Sequence, residues 1–239
     1  MLEHVLNLGN QLKTDLETSE GFISVDYERI VIVGMGGSGV AGDVLKLILN
    51  QYTNIDVEVR KTYNLTKTQI AARPFCLFIS YSGNTEETIS AAKNAIDENL
   101  EWAAISSGGE LLDLATKHNK KFVKVPDGLQ PRAAFGLMTK AVVNYLPNQT
   151  KKIFINACEE AGNYLNNLTE DASNEVFEIS KDIANQIGSK TAVIYAGSDL
   201  TYLVAQRWKT QINENSKSKA YVGFMPEVHH NEILSWEAD

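Results

Sequence analysis

Apolar runs and helical patterns alternate along the first 150 residues of the chain. Continuous runs rich in β-branched and aromatic residues predict strands at Arg29 to Val33, Ile55 to Val59, Phe75 to Ser80, Trp102 to Ser106 and Phe122 to Val125. Helical spacing of apolar residues predicts helices over residues 1 to about 20, Gly39 to Leu49, Asn84 to Asn99, Leu111 to Lys117 and Ala133 to Tyr145. Such alternation is typical of α/β proteins, so we predict a doubly wound parallel sheet.

Near Pro147 the pattern starts again and is shorter. Two long helical segments are followed by a strand, a helix and a second strand, which we predict at Phe154 to Leu168, Val176 to Ile187, Thr191 to Ala196, Leu200 to Ile212 and Ala220 to Phe224. Residues 193–198 loosely repeat residues 31–36, which indicates a partial duplication. Two strands are too few to cover these helices. We therefore predict two domains, residues 1–150 and an incomplete second α/β domain at residues 151–239.

Two loops carry the candidate chemistry of the first domain. Gly34 to Gly39 follows the first strand, and Ser80 to Thr85 follows the third. Ligands of open parallel sheets bind at the carboxyl ends of the strands. Glycines before a helix let backbone N–H groups approach an anion, and the second loop adds the hydroxyls of Ser80, Ser82 and Thr85. A phosphate monoester fits two such loops best.

Two other interpretations of the first loop stay open. Gly34, Gly36 and Gly39 also match the G-x-G-x-x-G dinucleotide fingerprint, and Glu58 lies at a plausible distance for the ribose hydroxyl. The strand of Glu58 ends in Arg60-Lys61, however, and a dinucleotide gives the hydroxyls of the second loop no role. The loop could equally be a tight turn that needs small residues and binds nothing.

Composition excludes several classes of partner. The 239 residues are 44% hydrophobic and 22% charged, which is ordinary for a globular protein, and the formal net charge is −8. Nucleic-acid binding needs a basic face, so we expect no nucleic-acid partner. We find no signal peptide and no apolar run of about 20 residues, so we expect a cytoplasmic protein without a membrane partner. Cys76 and Cys158 lie in apolar patterns and are predicted to be core residues.

Five motifs in order give the chain a resemblance to a known family. They are Gly36 to Gly39, Ser80 to Thr88, Pro131 to Ala134, Glu214-Asn215 and His230 to Glu232. Together they resemble the sugar isomerase (SIS) superfamily and, more narrowly, the bifunctional phosphoglucose/phosphomannose isomerases, which have two SIS domains. The resemblance implies an SIS-type fold over the whole chain. It also implies a further C-terminal half-domain with an active-site lysine, which this sequence lacks, so we expect weak or no activity from these 239 residues.

The resemblance implies a set of site residues. The substrate's 6-phosphate would be held by Gly36, Gly37, Ser38, Ser80, Ser82 and Thr85. Glu214 matches the base that moves a proton between C2 and C1, and Asn215 would orient it. His230 matches a histidine that assists opening of the sugar ring and that comes from a neighbouring subunit. Arg132 is placed to stabilise the enediolate.

These residues predict an aldose–ketose isomerase. It would interconvert glucose 6-phosphate, and also mannose 6-phosphate, with fructose 6-phosphate. This chemistry needs no cofactor and no metal, and a histidine from a neighbouring subunit implies a homodimer with shared active sites. Two alternatives belong to other classes of protein: a non-catalytic SIS module that senses a sugar phosphate, and a nucleotide-dependent oxidoreductase.

Overall fold

The computed structural model describes residues 2–19, 27–170 and 175–236. The chain divides into two compact units, residues 1–170 and 171–239, and each is described by itself. Among the described residues, no helix is both long and apolar enough to cross a membrane.

The first unit is built on a six-stranded sheet. In chain order its strands are β1 (Glu17–Thr18), β2 (Arg29–Gly34), β3 (Asp56–Arg60), β4 (Phe75–Ile79), β5 (Trp102–Ser106) and β6 (Lys121–Lys124). Their order across the sheet is β1-β6-β5-β4-β2-β3. Strands β2 to β6 are parallel, and β1 alone pairs antiparallel, with β6. The predicted doubly wound parallel sheet is confirmed.

In the part of the first unit that the structure describes, eight α-helices connect or cover these strands. They are α1 (Leu2–Leu6), α2 (Leu8–Lys13), α3 (Gly36–Tyr52), α4 (Lys67–Ala71), α5 (Glu86–Asp97), α6 (Gly109–Lys117), α7 (Phe135–Val142) and α8 (Asn148–Glu170). Short 3-10 turns precede and follow α7 at Pro131–Ala133 and Val143–Tyr145. The predicted N-terminal helix is divided at Asn7 and ends at Lys13, and residues 17 and 18 pair with β6 instead of continuing it. Part of that prediction, residues 1 and 20, lies outside the described residues.

The two faces of the sheet carry separate cores. Alternate residues of a strand point to opposite faces, so Ile30 and Ile32 of β2 pack on one side and Val31 and Val33 on the other. Helices α3 and α7 cover the first face, and α5 and α6 cover the second. The central strands are buried on both faces, which explains why their sequences are continuously apolar.

Helix α8 belongs to the first unit, although the predicted boundary lies near residue 150. It packs closely on α2, where a Cβ on Gly162 would lie 2.7 Å from the carbonyl oxygen of Gly9. Lys13 Nζ also donates to Asn163 Oδ1 at 2.6 Å, and Asn166 Nδ2 donates to Asn10 Oδ1 at 2.7 Å. The structure therefore ends the first unit at Glu170, after this helix.

The second unit has a two-stranded parallel sheet. Helix α9 (Glu175–Ile187) precedes β7 (Ala192–Ala196), and α10 (Asp199–Gln211) connects β7 to β8 (Ala220–Phe224). Among the described residues of this unit, four apolar residues are buried, namely Ala196, Ala205, Ala220 and Val228. Larger side chains stay in solvent: Leu200 is 58% exposed and Trp208 is 46% exposed. The predicted shortage of strands leaves this small sheet without a core like that of the first unit.

Candidate functional site

The two candidate loops follow adjacent strands, β2 and β4, which pair in register up to Gly34 and Ile79. The chain passes from β2 to β3 on one side and then crosses to β4 on the other. This is a topological switch point, where open α/β sheets form their ligand crevice. The prediction that both loops lie at neighbouring strand ends is confirmed.

The first loop leaves the N-terminus of α3 open. Met35 occupies the N-cap position and makes no side-chain capping bond, and the first turn of α3 contains no acidic residue. The first N–H groups of a helix have no partner within the helix, and they carry a partial positive charge. Gly36 adopts a φ of +50°, which a glycine accommodates without strain. This terminus is therefore suited to an anion.

The hydroxyls of the two loops differ in their surroundings. Ser80 is fully buried, and its Oγ lies 2.8 Å from Thr85 Oγ1 and accepts the N–H of Gly83 at 3.1 Å. Thr85 is half-buried at the N-cap position of α5, where its side chain makes no capping bond. Ser82 is exposed and accepts the N–H of Asn84 at 3.3 Å. Ser82 and Thr85 are thus accessible to solvent, whereas Ser80 is buried beneath them and contacts the hydroxyl of Thr85.

A third loop, residues 125–134, connects β6 to α7 and contains Arg132, and we call it the arginine loop. Tyr81 joins the first two loops to the arginine loop, and the sequence analysis assigned Tyr81 no role. Its N–H donates to Ser38 Oγ at 3.0 Å. Its hydroxyl donates to the carbonyl of Pro126 at 2.9 Å and accepts the N–H of Leu129 at 3.0 Å. Burial raises the pKa of Tyr81, so the hydroxyl keeps the proton that it donates. No local motif announces these bonds, because the partners of the hydroxyl lie more than 40 residues along the chain.

The third loop brings Arg132 to the first. A Cβ on Gly37 would lie 2.8 Å from the carbonyl oxygen of Pro131 and 3.6 Å from the Cα of Arg132. Only glycine permits so close an approach at this position. The structure therefore places the backbone of Arg132 beside the open N-terminus of α3, and Arg132 as a whole is half-buried.

Gln11 of α2 bonds to the backbone that follows Arg132. The sequence analysis assigned Gln11 no role. It is buried, and its Nε2 donates to the carbonyl of Ala133 at 2.9 Å. Its Oε1 accepts the N–H of Gly136 at 3.0 Å, in the first turn of α7. A buried glutamine thus satisfies backbone groups on both sides of the turn that follows Arg132.

A cavity of about 920 Å³ lies at the opposite, amino edge of the sheet. Its charged lining includes Arg29 and Asp56, whose Nε and Oδ2 atoms lie 2.6 Å apart, and Lys120 and Glu101, whose Nζ and Oε2 atoms lie 3.2 Å apart. In each pair the positive charge is neutralised by the negative one. Ligands of open α/β sheets bind at the carboxyl ends of the strands, where the N-termini of helices α3 and α5 lie, so we look for the site at the carboxyl edge.

Glu214 and His230 lie in the second unit, at opposite ends of β8. Glu214 is half-buried in a π-helical turn, Ile212–Ser216, that follows α10, and π-helical turns are frequent at functional sites. Asn213 Nδ2 donates to the carbonyl of Ser218 at 2.8 Å, which holds this turn just before β8 begins. Glu214 therefore lies at the amino end of β8.

His230 is exposed and lies beyond the carboxyl end of β8, in the 3-10 turn Glu227–His230. A Cβ on Gly223 would lie 2.7 Å from Val228 Cγ2, so this turn packs against the end of the strand. Five residues of strand span about 13 Å from the first Cα to the last. Within one second unit, Glu214 and His230 are consequently separated along the direction of β8.

Both cysteines are buried and free. Burial raises the pKa of Cys76 to about 12 and also raises that of Cys158, so neither provides a thiolate near neutral pH. The described part of the chain contains no group of three or more His, Cys, Asp and Glu side chains that could hold a metal ion.

Two family models match the chain. Residues 25–123 match the SIS domain, and residues 178–239 match the bacterial phospho-glucose isomerase C-terminal SIS domain. The first range includes both glycine- and serine-containing loops, and the second includes Glu214 and His230.

Relatives match over most of the chain. A bifunctional phosphoglucose/phosphomannose isomerase of Caldicellulosiruptor bescii is 35% identical over 100% of this chain and 72% of its own length. One of Aquifex aeolicus is 38% identical over 88% of this chain and 62% of its own length. Among solved structures, the C-terminal domain of glucosamine-fructose-6-phosphate aminotransferase from Francisella tularensis has a TM-score of 0.64 at 16% identity, over 98% of this chain and 72% of that one. That likeness shows a shared fold.

Proposed function

Because the chain belongs to the bifunctional phosphoglucose/phosphomannose isomerase family, a family of sugar-phosphate isomerases, we propose that it interconverts glucose 6-phosphate and fructose 6-phosphate and also accepts mannose 6-phosphate. The observation that carries this proposal is the meeting of three loops at the switch point between β2 and β4. An open helix N-terminus, two accessible hydroxyls and the backbone of Arg132 share this edge.

The phosphate of the substrate binds first in this proposal. The N–H groups of Gly36, Gly37 and Ser38 point out of α3, and the hydroxyls of Ser82 and Thr85 complete the cup. Ser80, predicted as a direct ligand, acts through its bond to Thr85. Hydrogen bonds to a charged group contribute roughly 1.5–3 kcal/mol each, so a few of them suffice for affinity in the micromolar to millimolar range.

The chemistry is a proton transfer between two carbons. The carboxylate of Glu214 takes the proton from C2 of the open-chain aldose, and the electron pair forms the C1–C2 double bond of an enediolate. Arg132 stabilises the negative charge that develops on O1. Glu214 then returns its proton to C1 while the O2 hydroxyl proton passes to O1, which leaves a ketone at C2.

His230 assists ring opening from a second copy of the chain in this proposal. A neutral imidazole can donate a proton to the ring oxygen and take one from the C1 hydroxyl, so the bond between C1 and the ring oxygen breaks and C1 becomes an aldehyde. Within one unit, Glu214 and His230 flank opposite ends of β8, which favours a site that combines Glu214 of one copy with His230 of another. The proposed enzyme is therefore a homodimer with two shared active sites.

Exchange of the C2 hydrogen tests the base. Fructose 6-phosphate formation is followed in a coupled assay, and substrate deuteration is followed in D2O. Glu214→Gln keeps the shape of the side chain but removes the proton acceptor, so turnover should fall by roughly 10²- to 10⁴-fold with binding retained. Glu175→Gln, at an exposed position of α9 in the same unit, is the control and should leave turnover unchanged.

The outcomes of this experiment separate the alternatives. Deuteration that persists in Glu214→Gln would assign the base to another residue. Binding of fructose 6-phosphate by the unaltered chain without any exchange would indicate a non-catalytic sugar-phosphate module. Tight binding of NADPH without binding of fructose 6-phosphate would indicate the oxidoreductase alternative.

Mixing two variants tests the shared site. Glu214→Gln and His230→Ala are each expected to be slow with the cyclic sugar. A mixed dimer contains one site with both native residues, so random mixing should restore about one quarter of the unaltered activity. Mixtures no more active than the average of the two variants would place both residues in one copy. His230→Ala should also be less impaired with open-chain sugar than with cyclic sugar.

A further inference from the structure

We infer that Tyr81 and Gln11 are positioning residues for Arg132, an inference that rests on the proposed function. The two side chains lie at opposite sides of the segment that carries the arginine. Each is buried, with 3% of its surface exposed, and each uses its polar atoms on the backbone of this segment.

Tyr81 fixes the part of the segment that precedes Arg132. The hydroxyl bonds to Pro126 and Leu129 hold the loop three residues before the arginine. The carbonyl of Tyr81 is itself held by Ser107, through N–H at 2.9 Å and Oγ at 2.7 Å. These bonds connect the end of β5, through Tyr81, to the arginine loop.

Gln11 fixes the part that follows. It bonds to the carbonyl of Ala133, directly after Arg132, and to the N–H of Gly136. A local bond between the N–H of Ala133 and the carbonyl of Gln130, at 2.8 Å, closes the turn between the two supports. The position of Arg132 beside Gly37 therefore depends on two side chains that do not belong to the loop.

Tyr81 and Gln11 should affect binding of the enediolate through Arg132, whereas the phosphate cup affects binding of the phosphate. Tyr81→Phe removes the hydroxyl bonds to the arginine loop but keeps the backbone N–H that Ser38 accepts. A change in the position of Arg132 should therefore weaken binding of an enediolate mimic and leave phosphate binding intact. A purely structural role would predict equal effects on both or on neither.

Calorimetry with two ligands tests this separation. Glycerol 3-phosphate probes the phosphate cup alone, and an aldonic acid 5-phosphate adds a carboxylate that mimics the enediolate oxygens. Tyr81→Phe and Gln11→Met should each lower affinity for the aldonate by about tenfold, the factor that corresponds to 1.4 kcal/mol, and change affinity for glycerol 3-phosphate less than twofold. Arg132→Lys sets the largest loss that mispositioning can cause.

Tyr145→Phe is the matched control. Its hydroxyl is also buried and donates to a backbone carbonyl, that of Ala104, at 2.9 Å, and this carbonyl belongs to β5 and not to the arginine loop. It should lower thermal stability and leave both affinities unchanged. Tyr81→Phe and Gln11→Met behaving like Tyr145→Phe, or weakening both ligands equally, would overturn the inference. An unaltered chain that binds neither ligand would instead refute the proposed function, and the inference with it.

Discussion

The turns that follow β2 and β7 have similar sequences and opposite properties. Each passes from an apolar strand through a glycine and a serine into a helix. At the N-terminus of α10, Ser198 Oγ accepts the N–H of Thr201 at 3.2 Å, and Thr201 Oγ1 accepts the N–H of Ser198 at 3.0 Å. Asp199 adds a negative charge to the first turn. At the N-terminus of α3 there is neither a side-chain cap nor an acid.

The difference shows how to distinguish a binding turn from a structural one. A helix N-terminus needs partners for its first N–H groups. In the second unit the protein supplies them, so a phosphate would have to displace a capping box and approach a carboxylate. In the first unit no side-chain cap supplies them, and we propose that the phosphate of a ligand does so. The sequence repeat alone did not reveal this, because it matches strand and glycine positions and not capping bonds.

The largest effect on affinity is expected from removing the paired hydroxyls of the second loop, which completes the proposed phosphate cup beside the turn after β2, and comparing this change with removal of the paired hydroxyls after β7. Ser80 and Thr85 have hydroxyl oxygens 2.8 Å apart, and Ser198 and Thr201 have theirs 2.9 Å apart. Ser80→Ala/Thr85→Ala should lower affinity for fructose 6-phosphate about tenfold or more, measured by calorimetry, because a charged acceptor loses a donor. Ser82→Ala should do the same.

Ser198→Ala/Thr201→Ala is the matched control. It should leave affinity unchanged and cost roughly 1 kcal/mol of unfolding free energy, the usual effect of losing an N-cap. If the two double variants reduced affinity equally, the phosphate cup would not lie in the first unit alone.

A smaller effect on affinity is expected from adding a methyl group at one glycine of each turn, Gly37 after β2 and Gly197 after β7. Gly37→Ala places a Cβ 2.8 Å from the carbonyl oxygen of Pro131, so α3 or the arginine loop must shift. Affinity for fructose 6-phosphate should fall about three- to tenfold, or roughly 0.7–1.4 kcal/mol. A Cβ on Gly197 would meet no atom within 4 Å, so Gly197→Ala should bind as the unaltered chain does. Unchanged affinity in Gly37→Ala would show that the close approach is not needed for binding.

The sequence predicted what depends on local pattern. Strands β2, β4 and β5 are buried on both faces, so their apolar runs are continuous and unambiguous. The adjacency of the two loops followed from the rule that parallel strands present their carboxyl ends to one crevice. Helix α4 was missed although Thr66 and Gln69 form a capping box, a signal that the sequence does contain.

The sequence could not predict what depends on distant partners. Gln11 bonds to residues more than 120 positions away, and the Tyr81 hydroxyl bonds to residues more than 40 positions away. Neither residue belongs to a spacing motif, so only the folded chain shows its role. The contacts between α8 and α2 could not be predicted for the same reason, because α2 lies close to the start of the chain, and the predicted boundary near residue 150 did not take them into account.

The two units should also differ in local stability, and this prediction needs no substitution. Strands β2, β4 and β5 of the first unit are buried on both faces, whereas among the described residues of the second unit the residues of β7 before Ala196 all keep some exposed surface. Little buried apolar surface means a low free energy of opening. In native-state hydrogen exchange, amides of β2, β4 and β5 should exchange by global unfolding, and those of β7 and β8 should exchange faster by at least about tenfold, or 1.4 kcal/mol.

Glycerol 3-phosphate should slow exchange at the N-termini of α3 and α5 and not at that of α10. Equal protection of β2 and β7 in dilute protein would show that the second unit is stabilised by contacts other than its own core, and protection that rises with protein concentration would assign those contacts to a second copy of the chain.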